Sequence, residues 1–188
     1  MTGWQLAFLG VIAALAVQRG VELLVSRARL AGRREALVAE PRLFAAMVAL
    51  HVGFLVLPPV EVLALDRPFR AWLAVGAGSA LLLATALRVW TLRTLGRAWN
   101  VRVVVPEAGA VVTSGPYRWI RHPNYLAVIL ELASVPLLHG AWVSALALSL
   151  LNGCVLAARI RTEEAALASL PAWREAMADR ARLIPGVF

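Results

Sequence analysis

The hydrophobic positions of the chain form five apolar segments, separated by short polar turns and one long polar loop. The segments cover residues 4–25, 43–65, 71–91, 125–138 and 141–158. The first three are long enough to cross a hydrocarbon layer of ~30 Å at ~1.5 Å per residue. The fourth is shorter, and we expect it to form a tight helical hairpin with the fifth. The pattern predicts an all-α integral membrane protein with about five transmembrane helices.

The polar positions concentrate in residues 93–124 and in the tail after Arg159. Residues 101–105 have β-like character, so we expect a short extended loop around 97–124 rather than a soluble domain. Pro58 and Pro59 should break or kink the second helix. In the tail we expect an amphipathic helix that Pro171 interrupts.

Composition supports a membrane protein, because 61% of the residues are hydrophobic and the mean hydropathy is +0.74. A soluble domain is ~45–50% apolar. The net charge of +8 comes from arginines that follow the first segment and fill the loop and the tail. This distribution predicts an N-terminus outside and a C-terminus in the cytoplasm. The arginines form no continuous stripe with interleaved aromatics, so we expect no nucleic-acid partner.

We interpret residues 1–188 as a single domain. Residues 1–92 would supply three membrane helices, and residues 93–188 would form a catalytic half with the loop, the hairpin and the tail. The predicted topology brings the loop and the tail to the same side of the membrane, where their polar side chains can meet.

The loop contains a candidate binding site around the start of the fourth helix. Pro123 followed by Asn124 marks a helix entry, whose free backbone N–H groups suit an anionic group. Tyr117 and Tyr125 offer flat faces with a polar tip, as an adenine or ribose requires. His122 is a candidate for hydrogen bonding or proton transfer.

The tail contains a second candidate pair, Arg159 and Glu163, which are four residues apart on one helix face. An arginine and a carboxylate that project together can hold a zwitterion or clamp a carboxylate. The alternative is a surface ion pair, worth only ~0.3–0.5 kcal/mol. Spacing alone favours the surface pair.

Two charged residues within the apolar segments are further candidates for contacts with substrate. A carboxylate inside a membrane is costly, so Glu131 is a functional candidate, although it could instead pair with Arg88. Arg88 lies near the end of the third segment and either extends to the interface or reaches the site. We find no Cys/His set with zinc spacing, no Walker loop and no GxGxxG after a strand, so we expect no metal.

Three stretches carry a resemblance to a known family. GPYRWIRHPNYLAV, RIRTEEAAL and RLIPGVF resemble the isoprenylcysteine carboxyl methyltransferase family of integral membrane enzymes, over about residues 97–188. RGVELLVSRAR is similar to bacterial members, more loosely. The resemblance implies an S-adenosylmethionine-dependent O-methyltransferase of a bacterial inner membrane, with its site facing the cytoplasm and a lipidic or prenylated substrate.

The resemblance also implies roles for individual residues. Arg159 would hold a substrate carboxylate, and Glu163 would take the ammonium group of the cofactor. Arg159 and His122 would be the catalytic residues, with His122 or Glu131 as the base if the acceptor needs one. The cofactor would also contact Arg102, Gly109, Ala110, Val111, Val112, Tyr117, His122, Pro123, Asn124 and Tyr125.

Three alternatives remain open at this point. Membrane sterol reductases share an HP-x-Y stretch and use NADPH, but usually carry an acidic residue shortly after the tyrosine, where this chain has Leu126, Ala127 and Val128. Phospholipid N-methyltransferases would use the same cofactor with a different acceptor. A lipid-binding module without catalysis is the third.

Overall fold

A computed structural model describes residues 1–31, 40–105 and 111–186 of the chain. Within these ranges the protein is all-helical and contains no β-strand, which confirms the predicted class. The helices are α1 (Gly3–Leu30), α2 (Pro41–Ala64), α3 (Ala71–Leu95), α4 (Pro123–Leu137), α5 (Trp142–Leu167) and α6 (Pro171–Met177).

Four of these helices, α1, α2, α3 and α5, are long and apolar enough to cross a membrane. The helix α4 is shorter, with 15 residues, as the fourth apolar segment predicts. It packs against α3 on one side and α5 on the other, and α5 packs against α2. The shared core is apolar, with Phe8, Ile12, Leu50, Phe54, Leu132 and Leu148 at its centre.

The helix α2 continues through Pro58 and Pro59, so these prolines do not break it, and the expected kink stays a prediction. Proline removes a backbone hydrogen bond but is tolerated in membrane helices, where neighbouring helices compensate. Both prolines fall in the second half of α2, near Glu61, which binds to the start of α5. The packing of α2 against its neighbouring helices therefore compensates for the backbone hydrogen bonds that the two prolines remove.

The turn between α4 and α5 is fixed by Glu61 of α2. Its carboxylate accepts hydrogen bonds from the backbone N–H groups of Val143 and Ser144, at 3.2 and 2.7 Å, and from the Ser144 hydroxyl at 2.7 Å. These N–H groups belong to the first turn of α5 and have no acceptor within the helix. The side chain of Arg67 pairs with Glu61 at 2.9 Å. A residue from a different helix therefore caps α5.

The long loop is irregular, apart from two 3-10 turns at Gly96–Ala98 and Gly115–Arg118. It is joined to the tail by an isolated parallel bridge between Ile120 and Ala181. The tail helix is split as predicted, because α5 ends at Leu167 and α6 begins at Pro171. The loop and the tail thus lie together at one end of the helices, which we call the loop end.

Candidate active site

A cavity of about 400 Å³ opens at the loop end and extends between α1, α2 and α5. Its loop end is lined by polar and aromatic side chains. Further along the helices the wall is mostly apolar, and the polar side chains that also line it are Arg19, Glu22, His51, Arg88 and Asn152. The polar part includes Arg102, Tyr117, His122, Asn124, Tyr125, Arg159 and Glu163, and the apolar part includes Val48, Val52, Leu55, Val128, Val155 and Leu156.

Tyr125 connects the two polar clusters that the sequence singles out. Its hydroxyl accepts a hydrogen bond from Arg159 Nε at 2.8 Å and donates one to Glu163. Arg159 and Glu163 lie one turn apart on α5, and Tyr125 comes from the first turns of α4. The phenol is therefore inserted between the cation and the anion. Since Tyr125 is hydrogen-bonded to both, it fixes the direction in which each of them points.

Arg159 is buried and has further partners on other elements. Its guanidinium donates to the backbone carbonyl of Val101 and lies 2.9 Å from the sulfur of Met47. The carboxylate of Glu40 is 3.9 Å away. Arg159 thus joins α5 to the loop and to the start of α2, and its charge has an acidic neighbour as a buried charge requires.

Glu164, the residue after Glu163, holds the loop and the tail together. Its carboxylate binds Arg121 and His122 of the loop, both at 3.2 Å, and Arg182 of the tail at 3.0 Å. Backbone N–H groups of Arg121 and His122 also donate to the carbonyls of Ala181 and Arg182, at 2.9 and 3.0 Å. These contacts fix the stretch that leads into α4 and hence the position of Tyr125.

The last turn of α1 holds the other side of the loop. The Ser26 hydroxyl donates to Asn100 Oδ1 at 2.8 Å and accepts from the Val101 N–H at 3.2 Å. Arg29 donates to the carbonyls of Gly96 and Trp99, at 2.9 and 3.0 Å. The N-terminal helix therefore contributes to the geometry of a site whose polar residues come mostly from the second half of the chain.

Four charged side chains from three helices meet beside the cavity. Glu131 of α4 receives both Arg88 Nε at 2.9 Å and Arg88 Nη2 at 2.8 Å, in a two-pronged contact, and it also binds Arg19. Glu22 completes the group, 2.8 Å from Arg19 and 3.4 Å from Arg88. Two arginines and two glutamates give no net formal charge, which reduces the cost of placing them inside a membrane.

Several buried polar atoms of the cavity wall have no hydrogen-bond partner among the described residues. They include the acceptor Asn124 Oδ1 and the donors Arg102 Nε and Arg121 Nε. Burial also raises the pKa of Tyr117, and the nearby Glu163 carboxylate adds to the effect, so the phenol stays neutral. An unmet acceptor and unmet donors in one wall suit a ligand that carries both kinds of group.

Comparison with known proteins identifies the family. A sequence profile of the isoprenylcysteine carboxyl methyltransferase (ICMT) family matches residues 74–169, from α3 through α5. The chain belongs to the ICMT family. This membership supports a membrane methyltransferase, and it confirms the resemblance that the loop and tail motifs carry.

Similar proteins include two bacterial relatives without an assigned function. The chain is 33% identical to YpbQ of Bacillus subtilis strain 168 over 159 residues, which are 84% of this chain and 94% of that protein. It is 28% identical to a Haemophilus influenzae protein over 121 residues, 64% of this chain and 70% of that protein. The fold is also similar to a solved eukaryotic intramembrane Ras methyltransferase, an ICMT, with a TM-score of 0.64 and 19% identity. That match covers 100% of this chain and 69% of the other.

Most of the site residues expected from the sequence of this ICMT family member line the cavity. They are Arg88, Arg102, Val111, Val112, Tyr117, His122, Asn124, Tyr125, Arg159 and Glu163. Pro123 and Glu131 are buried behind the wall. Gly109 and Ala110 lie outside the described residues. The role assigned to each residue stays a prediction, including substrate binding by Arg88 and Glu131, which are paired with each other here.

The structure adds two residues of α2 that the sequence did not place in the site. Met47 lies against Arg159, and His51 lines the cavity one turn further along the helix. His51 is a polar residue in an apolar segment, where a lone histidine is more often a packing residue than a ligand. Only the packing of α2 against α5 reveals which face of α2 turns toward the cavity.

Proposed function

We propose that this protein is an S-adenosylmethionine-dependent O-methyltransferase, which transfers a methyl group to a carboxylate or hydroxyl of a lipidic or isoprenoid molecule. It would act at the cytoplasmic side of a bacterial inner membrane. The observation that carries the proposal is the Arg159–Tyr125–Glu163 arrangement, at the polar end of a cavity whose other end is apolar. A polar cofactor and an apolar acceptor can share such a cavity.

The residues at the loop end fit the proposed cofactor. S-adenosylmethionine would supply a methyl group on a positively charged sulfur, together with an amino acid end and an adenosine end. Glu163 would take the ammonium group, and the unmet donors of Arg102 and Arg121 suit a carboxylate. The unmet acceptor Asn124 Oδ1 suits an amino or hydroxyl group. Tyr117 and the stacked pair of His122 and Tyr125, 5.3 Å apart, present aromatic faces.

The apolar end of the cavity fits the tail of a lipidic acceptor. Its wall of valines and leucines belongs to helices that face the bilayer, so an isoprenoid or alkyl chain could enter without crossing water. Arg159 lies between the two ends and would hold the reacting oxygen beside the methyl donor. Orienting the two reactants and excluding water are the main demands of a methyl transfer.

Binding of S-adenosylhomocysteine to the purified protein in detergent tests the cofactor assignment. Wild type should bind it in calorimetry, and Glu163→Gln should weaken binding about 10-fold or more, because a charge-assisted hydrogen bond to the ammonium is lost. Glu175→Gln is the matched control, since Glu175 is exposed on α6. Binding of NADPH in place of S-adenosylhomocysteine would contradict the proposal.

A second variant separates cofactor binding from acceptor binding. Arg159→Lys keeps the charge but loses the planar fork that reaches Tyr125 and Val101 together. We expect it to bind S-adenosylhomocysteine within about 3-fold of wild type and to lose methyl transfer to a lipid extract labelled with radioactive S-adenosylmethionine by about 100-fold. Unchanged turnover would remove Arg159 from the site.

A further inference from the structure

His51 lies on the cavity wall at a point where the mechanism so far uses no residue. It belongs to a face of α2 that turns toward the cavity at a spacing of three or four residues, formed by Phe44, Met47, His51 and Leu55. This face runs from the loop end into the apolar part. His51 is therefore a polar group at the depth where an apolar acceptor would carry its reacting oxygen.

A hydrogen bond to the ring determines which nitrogen of His51 carries the proton. Its Nδ1 lies 2.8 Å from the backbone carbonyl of Met47. A carbonyl oxygen can only accept, so Nδ1 carries the proton of this hydrogen bond. In the neutral imidazole, Nε2 then has a lone pair and is a proton acceptor. The backbone of α2 thus fixes the tautomer that a base requires.

The position of His51 relative to Arg159 fits this role. Met47, four residues before His51, contacts the Arg159 guanidinium at 2.9 Å. His51 therefore lies about one helical turn, ~5–6 Å, further from the loop end than that contact. The charged groups that face this part of α2 come from α1, α3, α4 and α5; they are Arg19, Glu22, Arg88, Glu131 and Arg159.

The other candidate bases are bound to charged side chains. Nε2 of His122 lies 3.2 Å from Glu164, which also binds Arg121 and Arg182. Glu131 receives both Arg88 and Arg19. A carboxylate held by two guanidiniums is a poor proton acceptor. His122 also keeps one ring nitrogen, Nδ1, outside its contact with Glu164, but this ring lies at the loop end, stacked on Tyr125. His51 lies further along the helices, beside the apolar part of the wall.

We propose that His51 is the proton acceptor of this site, and that the methyl acceptor is a hydroxyl of phenol or enol type on an apolar tail. This inference rests on the proposed methyl transfer and narrows its substrate. As the hydroxyl proton moves to His51 Nε2, the oxygen forms a bond to the methyl carbon. The carbon–sulfur bond breaks with its electron pair on sulfur. His51 then returns the proton to water when the product leaves.

The need for a base distinguishes a hydroxyl from a carboxylate. A carboxylate, with an ordinary pKa near ~4, is ionised at neutral pH, whereas a phenol, near ~10, is not. A positioned base typically contributes about 10²–10⁴-fold to the rate. A base beside the cavity is superfluous for a carboxylate acceptor and useful for a hydroxyl acceptor.

Binding of a coloured hydroxyl ligand tests the inference without turnover. A nitrophenol with a long alkyl chain changes colour on ionisation, and it is added at a pH where the free dye is mostly protonated. Wild type should bind it largely as the phenolate, and His51→Gln should bind it as the phenol. Absence of dye binding to wild type, a protonated dye on wild type, or equal ionisation by His51→Gln would each overturn the proposal.

Methyl transfer to two matched acceptors gives the second test. His51→Gln should slow methylation of an alkyl phenol about 100-fold and that of an alkyl carboxylic acid less than 3-fold. His139→Gln is the matched control, because His139 is buried at the opposite end of the helices. Equal effects on both acceptors would overturn the role of His51. Loss of S-adenosylhomocysteine binding by wild type itself would instead overturn the proposed function.

Discussion

At the residue scale, the hydroxyl of Tyr125 has an unusual position between a buried guanidinium and a carboxylate. One hydroxyl accepts from Arg159 and donates to Glu163, so both of its hydrogen-bonding roles are used. The ring stacks on His122, which is itself held by Glu164. A single side chain therefore transmits the position of the loop to the two charged residues of α5.

Tyr125→Phe tests the contribution of the hydroxyl separately from that of the ring, because it removes only the oxygen. The phenyl ring can still stack on His122, but Arg159 and Glu163 each lose a hydrogen bond to a charged group, worth ~1.5–3 kcal/mol. We expect S-adenosylhomocysteine binding to weaken about 10-fold in calorimetry, and the melting temperature to fall by several degrees because two charged groups lose a hydrogen bond. Wild-type affinity in this variant would show that the bridge does not orient Glu163 for the ligand.

The sequence predicted part of this arrangement. The spacing of Arg159 and Glu163 places them on one helix face, and both line the cavity. The sequence could not show that Tyr125 stands between them, because this depends on how α4 meets α5, more than 30 residues away in the chain. The tautomer and orientation of His51 could not be predicted either, since they follow from the packing of α2 against α5.

At the element scale, the pair between Arg88 of α3 and Glu131 of α4 joins two helices that pack closely. Both residues are almost fully buried, at 3% and 1% exposure. The sequence left two roles open for them, a contact with substrate and a pair with each other. The structure shows the pair, and a stability measurement can separate the two roles.

Glu131→Gln should lower the free energy of unfolding in detergent by about 3–5 kcal/mol, because Arg88 and Arg19 lose their shared carboxylate inside the protein. Replacing both members, with Arg88→Met and Glu131→Leu, leaves the Arg19–Glu22 pair in place and should recover most of the loss. Glu175→Gln is again the exposed control. Full stability of Glu131→Gln combined with lost acceptor binding would favour the substrate role.

The helices themselves were largely predictable from the sequence, and their ends were less so. All five apolar segments form helices, and α5 continues nine residues beyond the apolar segment that ends at 158, to Leu167, where the sequence predicts the start of the tail helix. The polar residues of that extension, including Glu163 and Glu164, were expected in a helix that emerges from the membrane. The contacts of Glu164 with the loop and the tail keep the extension packed rather than solvated.

At the scale of the whole molecule, the two ends of the helix group differ in chemistry. At one end the rings of Trp4 and Phe69 stack at 4.2 Å, and Phe69 lies 5.7 Å from His139. This brings the N-terminus, the turn after α2 and the turn after α4 together. The opposite end contains the loop of residues 93–124 and the tail. Residues 66–70 contain two arginines, whereas residues 93–121 contain five, so the positive-inside rule predicts that the loop end faces the cytoplasm.

Cysteine labelling in spheroplasts tests this orientation. The native Cys154 is exposed, so it is first replaced by alanine. Gly3→Cys then marks the N-terminal end, where a side chain meets no atom within 4 Å, and Ser114→Cys marks the exposed surface of the loop. A maleimide that cannot cross membranes should modify Gly3→Cys in intact spheroplasts and Ser114→Cys only after lysis. The reverse pattern would place the polar mouth of the cavity outside, away from a cytoplasmic supply of S-adenosylmethionine, and would contradict both the topology and the proposed reaction.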